Sequence, residues 1–266
     1  MRRLLAAALL SVGIAAPLAC VGTTGSGLVT FKAYASGPHD ADPTKPFEFD
    51  SGRGYHVVLT KAQLHVGAVY LNLSAPISGA QPTSCVLPGV YVGEVTKGLD
   101  VDVLSPKPQP FPVIGDGTAD HAVTGEVWLT GGEIDALDDP TVILDLAGTA
   151  TKAGVSYPFA ATFTIGQNRK RPPLDPALPG SNPICKQRIA TPIPVDVTPY
   201  DGGSLYLEID PRGWFGDVDF AVVPEAQTSP PLYQFVDSSA PDVDYASRNL
   251  FNALRVSIGV YTFTFR

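Results

Sequence analysis

Cysteine, methionine, histidine and charge are all scarce in this chain of 266 residues. It has three cysteines, one methionine and four histidines, and 17% of its residues are charged. A hydrophobic share of 44% with so little charge excludes a disordered tail, which is highly charged and poor in apolar residues. The net charge of -8 repels phosphate backbones. We therefore expect no nucleic-acid partner.

The short motifs of several enzyme classes are absent as well. The sequence contains no GxSxG elbow, no P-loop, no GxGxxG, no HExxH and no paired CxxC. Carboxylate pairs of the kind that hydrolyse glycosides have no fixed spacing, so an envelope hydrolase that uses carboxylates remains an alternative. We expect that the protein is not an enzyme, and the sequence identifies no catalytic residue.

The N-terminus indicates export. "MRRLLAAALLSVGIAAPLAC" has two arginines, an apolar run and small residues, the order found in a secretory signal peptide. Pro17-Leu18-Ala19-Cys20 resembles a bacterial lipobox, in which a diacylglyceryl group is attached to the cysteine. We predict a signal peptide over 1–19, lipidation at Cys20 and a flexible tether over 20–27. The alternative is an ordinary secreted protein that is cut nearby.

The cysteine count agrees with lipidation. An odd thiol in an exported protein needs an explanation. If Cys20 carries lipid, Cys85 and Cys185 remain as a pair, and an oxidising compartment lets such a pair form a disulfide. We predict this disulfide, and we place the protein in the bacterial cell envelope as a periplasmic or outer-membrane lipoprotein.

Proline and glycine, at 26 residues each, favour short strands and structured loops over helices. Several segments alternate apolar and polar residues with a period of two, which indicates half-buried strands. They are Leu28–Ala35, Tyr55–Thr60, Val86–Val95, Leu99–Leu104, His121–Gly132 and Leu205–Asp210. We predict that the segment Thr141–Gly166 forms a hairpin with its turn at Lys152–Gly154. One helix is expected over Val243–Val256 and ends before Gly259, after which a last strand follows.

These elements predict a mainly β protein. We expect one antiparallel β-sandwich-like domain over residues 28–266, with one C-terminal helix and long proline-rich loops. The proline-rich segment Gly166–Cys185 is the kind of sequence that also links domains. The alternative is therefore two β modules that split near residues 167–184.

Three histidines are the candidate metal ligands. His56 and His65 flank the first long strand, and His121 opens another. Imidazoles suit copper or zinc. Because nine residues separate His56 from His65, an unbroken strand would place them on opposite faces, and a bulge near Lys61–Gln63 would be needed to bring them together. The competing interpretation is that all three are polar-face residues with no shared site.

Two aromatic residues in "DPRGWFGDVDF" are the candidate binding residues. Exposed, Trp214 and Phe215 would grip a partner as interface anchors do. Buried, they would plug one end of the sandwich. Trp128, in "GEVWLT", is expected to lie in the core.

Several segments carry a family resemblance. "PLAC", "FEFDSGRGYHVVLTKAQLHVGAVYL", "DPRGWFGDVDF" and "GVYTFTF" resemble uncharacterised secreted lipoproteins of myxobacteria-like bacteria. The order of residues over Phe47–Phe220, with "DLAGTATKAGVSYPF", is similar to that of periplasmic copper-binding β-sandwich proteins associated with methanobactin. The resemblance implies a sandwich and copper binding through a Trp-x-His arrangement. That arrangement is absent, because Trp128 and Trp214 are each followed two residues later by Thr130 and Gly216.

The sequence thus predicts a lipid-anchored, non-catalytic binding or structural module of the cell envelope. Its partners are expected to be the membrane, through the lipid, and an unknown protein or glycan. No cofactor is expected under this interpretation. A periplasmic copper- or zinc-binding protein is the first alternative, and the envelope hydrolase is the second.

Overall fold

The computed structural model describes residues 26–74, 90–136, 138–166, 183–238 and 243–266. The protein is mainly β, with two sheets that pack face to face as a sandwich, so the predicted fold class is confirmed. In chain order the strands are β1 (Leu28–Ser36), β2 (Phe47–Asp50), β3 (His56–Val66), β4 (Ala68–Asn72), β5 (Tyr91–Val95), β6 (Leu99–Asp102), β7 (Gln109–Pro110), β8 (Gly115–Thr118), β9 (Ala122–Trp128), β10 (Val142–Lys152), β11 (Val155–Thr164), β12 (Ile189–Val197), β13 (Ser204–Ile209), β14 (Glu225–Thr228), β15 (Pro231–Gln234) and β16 (Tyr261–Phe265).

The larger sheet has the strand order β12-β9-β4-β5-β8-β1-β13-β16, and β7 adds to β1. Most neighbours in it are antiparallel, but β1 and β13 run parallel. The strands that follow residues 167–182 pair with strands that precede them, β12 with β9 and β13 with β1. The N-terminal and C-terminal parts of the chain therefore share this sheet.

The smaller sheet has the strand order β14-β15-β11-β10-β3-β2, with β6 also paired to β3. Its centre is the hairpin of β10 and β11, which confirms the hairpin prediction for Thr141–Gly166. The turn between the two strands uses Ala153 and Gly154 at φ 50 and φ 80. Two successive positive φ values match the right-handed twist of the strands, and glycine adopts them without steric cost.

A bulge divides β3 into two halves. Ala147 of β10 pairs with Lys61, but the next residue, Gly148, pairs with Leu59, so Thr60 is an extra residue in β3. The extra residue shifts the alternation of buried and outward side chains by one position. His56 and His65 consequently lie on the same outer face despite their odd spacing.

The core fills the space between the sheets with alternating side chains from both. Valine and leucine of β3 are completely buried on either side of the bulge, for example Val57, Leu64 and Val66. At one end of the sandwich, two short 3₁₀ helices (Pro211–Phe215 and Phe220–Val222) add aromatic rings. Alternation along the strands creates this single layer of apolar contacts, which is why the period of two predicted the strands.

The helices are few and short in the described residues. The first, α1 (Cys185–Arg188), was not predicted. The second, α2 (Tyr245–Ala253), is shorter than the predicted Val243–Val256, and the Asp244 side chain caps its N-terminus by accepting from the Ser247 N–H. Gly259 does not end the helix but adopts a positive φ before β16. None of the helices in the ranges given above is long and apolar enough to cross a membrane.

Candidate functional site

His56 lies on the outer face of the smaller sheet between two carboxylates. Its Nδ1 is 3.1 Å from an Asp50 oxygen and its Nε2 is 3.5 Å from a Glu48 oxygen. Each ring nitrogen therefore faces a different carboxylate of the neighbouring strand β2. Because β2 pairs with β3, this arrangement is a polar contact between neighbouring strands.

His65 lies farther along the same strand, beside an open groove. Its Nδ1 is 2.6 Å from an Asp100 oxygen. A Cβ added to Gly98 would be 2.9 Å from its Nε2, so backbone packs against that side of the ring. The groove has a volume of about 460 Å³ and includes Gln63 and Asp145 in its lining. Strand geometry separates His65 from His56 by roughly 25–30 Å.

His121 lies in the other sheet, immediately before β9. Its Nδ1 is 3.2 Å from the Thr198 hydroxyl, and its Nε2 is 3.6 Å from an Asp196 oxygen. The structure thus places His56, His65 and His121 at three separate positions. Within the described ranges, no group of three or more His, Cys, Asp or Glu side chains is placed to hold a metal ion. Metal binding by these histidines stays a prediction, and the three side chains do not form one cluster.

Trp214 and Phe215 are both fully buried. The Phe215 ring packs against those of Phe49, Phe159 and Phe220, at centroid distances of 5.6, 5.9 and 5.9 Å. The hypothesis that these residues are exposed anchors is therefore wrong, and the alternative of a plug describes them. The cause is the 3₁₀ helix over Pro211–Phe215, which turns both rings into the sandwich.

Two predicted covalent sites fall partly or wholly outside the described residues. Cys20 and Cys85 both lie outside them. Cys185 lies at the start of α1, where it is fully buried against Ile134 and Ile189. The disulfide between Cys85 and Cys185 and the lipidation of Cys20 stay predictions.

The outer face of the larger sheet carries a different group of residues, which we call the aromatic–acidic face. It consists of Tyr70, Asn72, Tyr91, Glu94, Asp116, Glu126 and Trp128. Strand register brings them together: Tyr70 of β4 pairs with Glu126 of β9 on one side and with Glu94 of β5 on the other. Glu94 in turn pairs with Asp116 of β8. One row of side chains across four strands therefore contains three carboxylates and a tyrosine.

The three aromatic rings of this face pack against one another. The Tyr70 ring lies 4.9 Å from the Tyr91 ring and 4.5 Å from the Trp128 ring, with tilts of about 45°. All three side chains are half-buried. Trp128 was expected to lie in the core. It lies outside the main core, on the same side of β9 as Glu126, and packs half-buried against a small apolar cluster of Ile134, Cys185 and Ile189. Half-exposed aromatic side chains combine a large contact area with few rotatable bonds, as binding surfaces require.

Glu126 is the buried carboxylate beneath these rings. It is 1% exposed, and its two oxygens accept hydrogen bonds from Asn72 Nδ2 at 3.0 Å and Trp128 Nε1 at 2.9 Å. Burial raises the pKa of Glu126, and the two hydrogen bonds oppose that rise. Burial also raises the pKa of Tyr91, and the negative charge of Glu126 adds to the effect.

The polar atoms of this face are not all satisfied. Asn72 Oδ1 and the Tyr91 hydroxyl are buried and have no hydrogen-bond partner in the part of the chain that the structure describes. No basic side chain in that part forms an ion pair with Glu94, Asp116 or Glu126. Like charges directly opposite each other on neighbouring strands, such as Glu94 and Asp116, destabilise a sheet. The face therefore has excess negative potential and electron-rich rings, a combination that attracts cations.

The raised pKa of Glu126 predicts a pH-dependent stability that a Glu126→Gln variant lacks. The folded state binds the Glu126 proton more tightly than the unfolded state does. The contribution of Glu126 to the free energy of unfolding is therefore complete below pH 4.5 and is lost as pH rises through the raised pKa. In the variant, the Asn72 amide can turn so that Oδ1 accepts from the glutamine NH₂. Aspartates with lowered pKa, such as Asp42 and Asp139, make stability rise with pH, but they contribute equally to both proteins. Urea unfolding should therefore show that the stability of wild type minus that of the variant falls across this pH range.

The matched control for this prediction is Glu225→Gln, at an exposed position of β14 in the other sheet. We expect this control to keep the pH dependence of wild type. An identical pH dependence in wild type and Glu126→Gln would contradict the assignment of the effect to Glu126.

Sequence reasoning missed this face as a site. Its members come from β4, β5, β8 and β9, so no short motif contains them. One signal was present: in "TGEVW", the period of two places Glu126 and Trp128 on the same side of the strand. A glutamate and a tryptophan on one side indicate a face that is neither an ordinary core nor an ordinary solvated surface.

The fold and the aromatic–acidic face together define a two-sheet β-sandwich protein with an open, negatively charged surface on its larger sheet. No family model and no curated protein matches the chain. Among solved structures, the chain is similar to MbnP from Methylosinus trichosporium, with 12% sequence identity and a TM-score of 0.37 over 90% of this chain and 98% of that one. A likeness of this degree carries no argument about function.

Proposed function

We propose that this protein is a lipid-anchored, non-catalytic binding module of the bacterial cell envelope, and that its aromatic–acidic face binds a basic segment of another envelope protein. The observation that carries the proposal is the row of Glu126, Tyr70, Glu94 and Asp116 across four strands, flanked by two further half-buried rings. The predicted signal peptide and the lipobox-like Pro17–Cys20 segment support the compartment and the anchor.

The shape of the face favours a polypeptide over a small molecule. Small-molecule sites are concave and bury most of the ligand surface. The groove at this face is shallow and open, with a volume of about 280 Å³, and its lining includes Leu28 of β1 beside Tyr91, Glu94 and Asp116. An open sheet surface with aromatic residues at its centre and charges around them instead matches the organisation of protein interfaces.

The charge of the face favours a cationic segment over a neutral glycan. Glu94 and Asp116 are exposed and form no ion pair within the described residues, so they raise the local concentration of positive groups. Lysine and arginine side chains also bind favourably to the faces of tyrosine and tryptophan rings. A neutral sugar would gain from the rings but not from the carboxylates.

The proposal predicts saturable binding of a lysine-rich peptide, measured through Trp128 fluorescence. Trp128 is half-buried at the face, whereas the second tryptophan, Trp214, is fully buried elsewhere. A double variant, Glu94→Gln with Asp116→Asn, should weaken binding about tenfold, because two exposed charge interactions are lost. Added salt should weaken wild-type binding as well.

The matched control removes two charges elsewhere. Glu225→Gln with Asp217→Asn changes exposed residues outside the face by the same net charge. We expect binding by this control within about twofold of wild type. Equal weakening in both double variants would mean that only overall charge matters. Binding of a neutral oligosaccharide in place of the peptide would overturn the choice of partner.

A further inference from the structure

Exposed apolar side chains collect at one end of the larger sheet. Five large apolar or aromatic residues there are more than a third exposed: Leu28 at 89%, Val90 at 60%, Tyr200 at 52%, Leu73 at 44% and Val123 at 38%. Exposed apolar residues are ordinary when scattered, but a group at one place marks a surface that contacts something. We call this group the apolar end.

Strand register places four of the five at the same end. Leu28 is the first residue of β1 and pairs with Thr118, the last residue of β8. The Leu73 N–H donates to the Val90 carbonyl at 3.0 Å, which joins the end of β4 to the start of β5. Val123 lies beside them, because its neighbour Thr124 pairs with Asn72.

Tyr200 reaches the apolar end through a turn. The Gly202 N–H donates to the Thr30 carbonyl at 2.8 Å, and the Asp201 side chain accepts from both the N–H and the hydroxyl of Thr30. Thr30 is only two residues from Leu28. A tyrosine, with an apolar ring and a polar hydroxyl, suits a boundary between water and an apolar phase.

The chain also enters the fold at this end. The Ala119 N–H donates to the Gly27 carbonyl at 3.0 Å, and the Ser26 hydroxyl bonds to Asp120. Ser26 is six residues after Cys20. Six residues span at most about 20 Å when fully extended. If Cys20 carries the lipid, this end of the body therefore lies within about 20 Å of the membrane.

We infer that the apolar end rests on the lipid bilayer, with Leu28 and Val90 at the boundary of headgroups and acyl chains. This inference rests on the lipid anchor in the proposed function and adds the surface that the bilayer contacts. Asp120, Asp196 and Asp201 are near this end, and Glu94 and Asp116 line one groove together with Leu28. These carboxylates repel anionic headgroups. The contact is therefore apolar, and we expect it to be stronger on zwitterionic than on anionic lipid. Because Leu28 borders the groove of the aromatic–acidic face, the basic segment of the proposed function would bind beside the bilayer surface.

The test uses the full lipidated chain in vesicles of zwitterionic phospholipid. A fluorophore is attached to a cysteine introduced by Leu28→Cys, by Val90→Cys or, as the control, by Ile258→Cys. Ile258 is 75% exposed and precedes β16, whose first residue Tyr261 pairs with Ile209. That position is at the opposite end of β13, about 25 Å or more from Leu28 along the strands. Labelled wild type measures the background from native cysteines.

Lipids that carry a quencher in the acyl chain should quench the fluorophore at positions 28 and 90 several-fold more than at position 258. Equal quenching at all three positions in protein whose intact mass includes the lipid would overturn this inference and leave the anchor standing. An intact mass without lipid at Cys20 would overturn the anchor and this inference together. Substituted positions are exposed, so folding should not depend on them.

Discussion

Replacing Arg188 by alanine should lower the free energy of unfolding by about 3–5 kcal/mol. Arg188 is fully buried, and its guanidinium donates to three backbone carbonyls: Ile165 at 2.8 Å, Ile134 at 2.9 Å and Glu133 at 3.2 Å. Truncation leaves these acceptors without donors and opens a cavity in the interior. The loss of a buried charge, whose Nη2 has no hydrogen-bond partner within the described residues, offsets part of this cost.

Arg188 joins three parts of the chain that are far apart in sequence. Its carbonyl also accepts from the Leu129 N–H at 2.6 Å, at the end of β9. Arg188→Lys should have an intermediate effect, because one ammonium group cannot reproduce the fork of the guanidinium. Urea unfolding measures both variants. The control, Arg53→Ala, removes an exposed arginine that donates one hydrogen bond to the Asp217 carbonyl, and it should cost at most about 1 kcal/mol.

A loss of less than about 1 kcal/mol in Arg188→Ala would contradict this account of the arginine. It would mean that the three carbonyls find other donors or water when the guanidinium is gone. The comparison requires that wild type and variant have the same slope of unfolding free energy against urea concentration. A changed slope would indicate a changed unfolded or native state.

Trp214→Ala should cost about 3–5 kcal/mol, because it removes a fully buried indole from the end of the sandwich. Trp214→Phe should cost much less. The indole Nε1 has no hydrogen-bond partner within the described residues, so phenylalanine loses volume but no hydrogen bond. Thermal or urea unfolding measures the two variants, with Val155→Ala at a half-exposed position as the control.

Equal losses in Trp214→Ala and Trp214→Phe would contradict this interpretation. They would show that the Nε1 proton has a partner that matters for stability. Unchanged stability in both variants would instead indicate that Trp214 is exposed in solution, which contradicts its buried position in the structure.

Local patterns predicted much of the fold. Alternation with a period of two located strands such as β1 and β13, since their inward residues face one apolar layer. The hairpin turn at Ala153 and Gly154 was readable because turn chemistry depends on neighbouring residues only. The bulge at Thr60 was not located, since a bulge depends on the register with the partner strand β10.

The candidate site was not predictable in the same way. Tyr70 and Glu126 are far apart in the sequence and meet only because β4 and β9 are neighbours in the sheet. Strand order of this kind is set by the whole fold and has no local sequence signal. The same reason explains why "DPRGWFGDVDF" looked like a candidate surface: whether its rings point inward depends on a short 3₁₀ helix and on the space at the end of the sandwich.

Peptide binding at the aromatic–acidic face can be observed through the two indole N–H signals of ¹⁵N-labelled protein, followed by NMR during titration with the lysine-rich peptide. Trp128 Nε1 donates to Glu126 within the aromatic–acidic face, whereas Trp214 is buried in the core, so each signal reports one place. A Trp128→Phe variant assigns them. We expect the Trp128 signal to shift until it saturates and the Trp214 signal to stay unchanged. An unchanged Trp128 signal at peptide concentrations that saturate binding would contradict binding at this face.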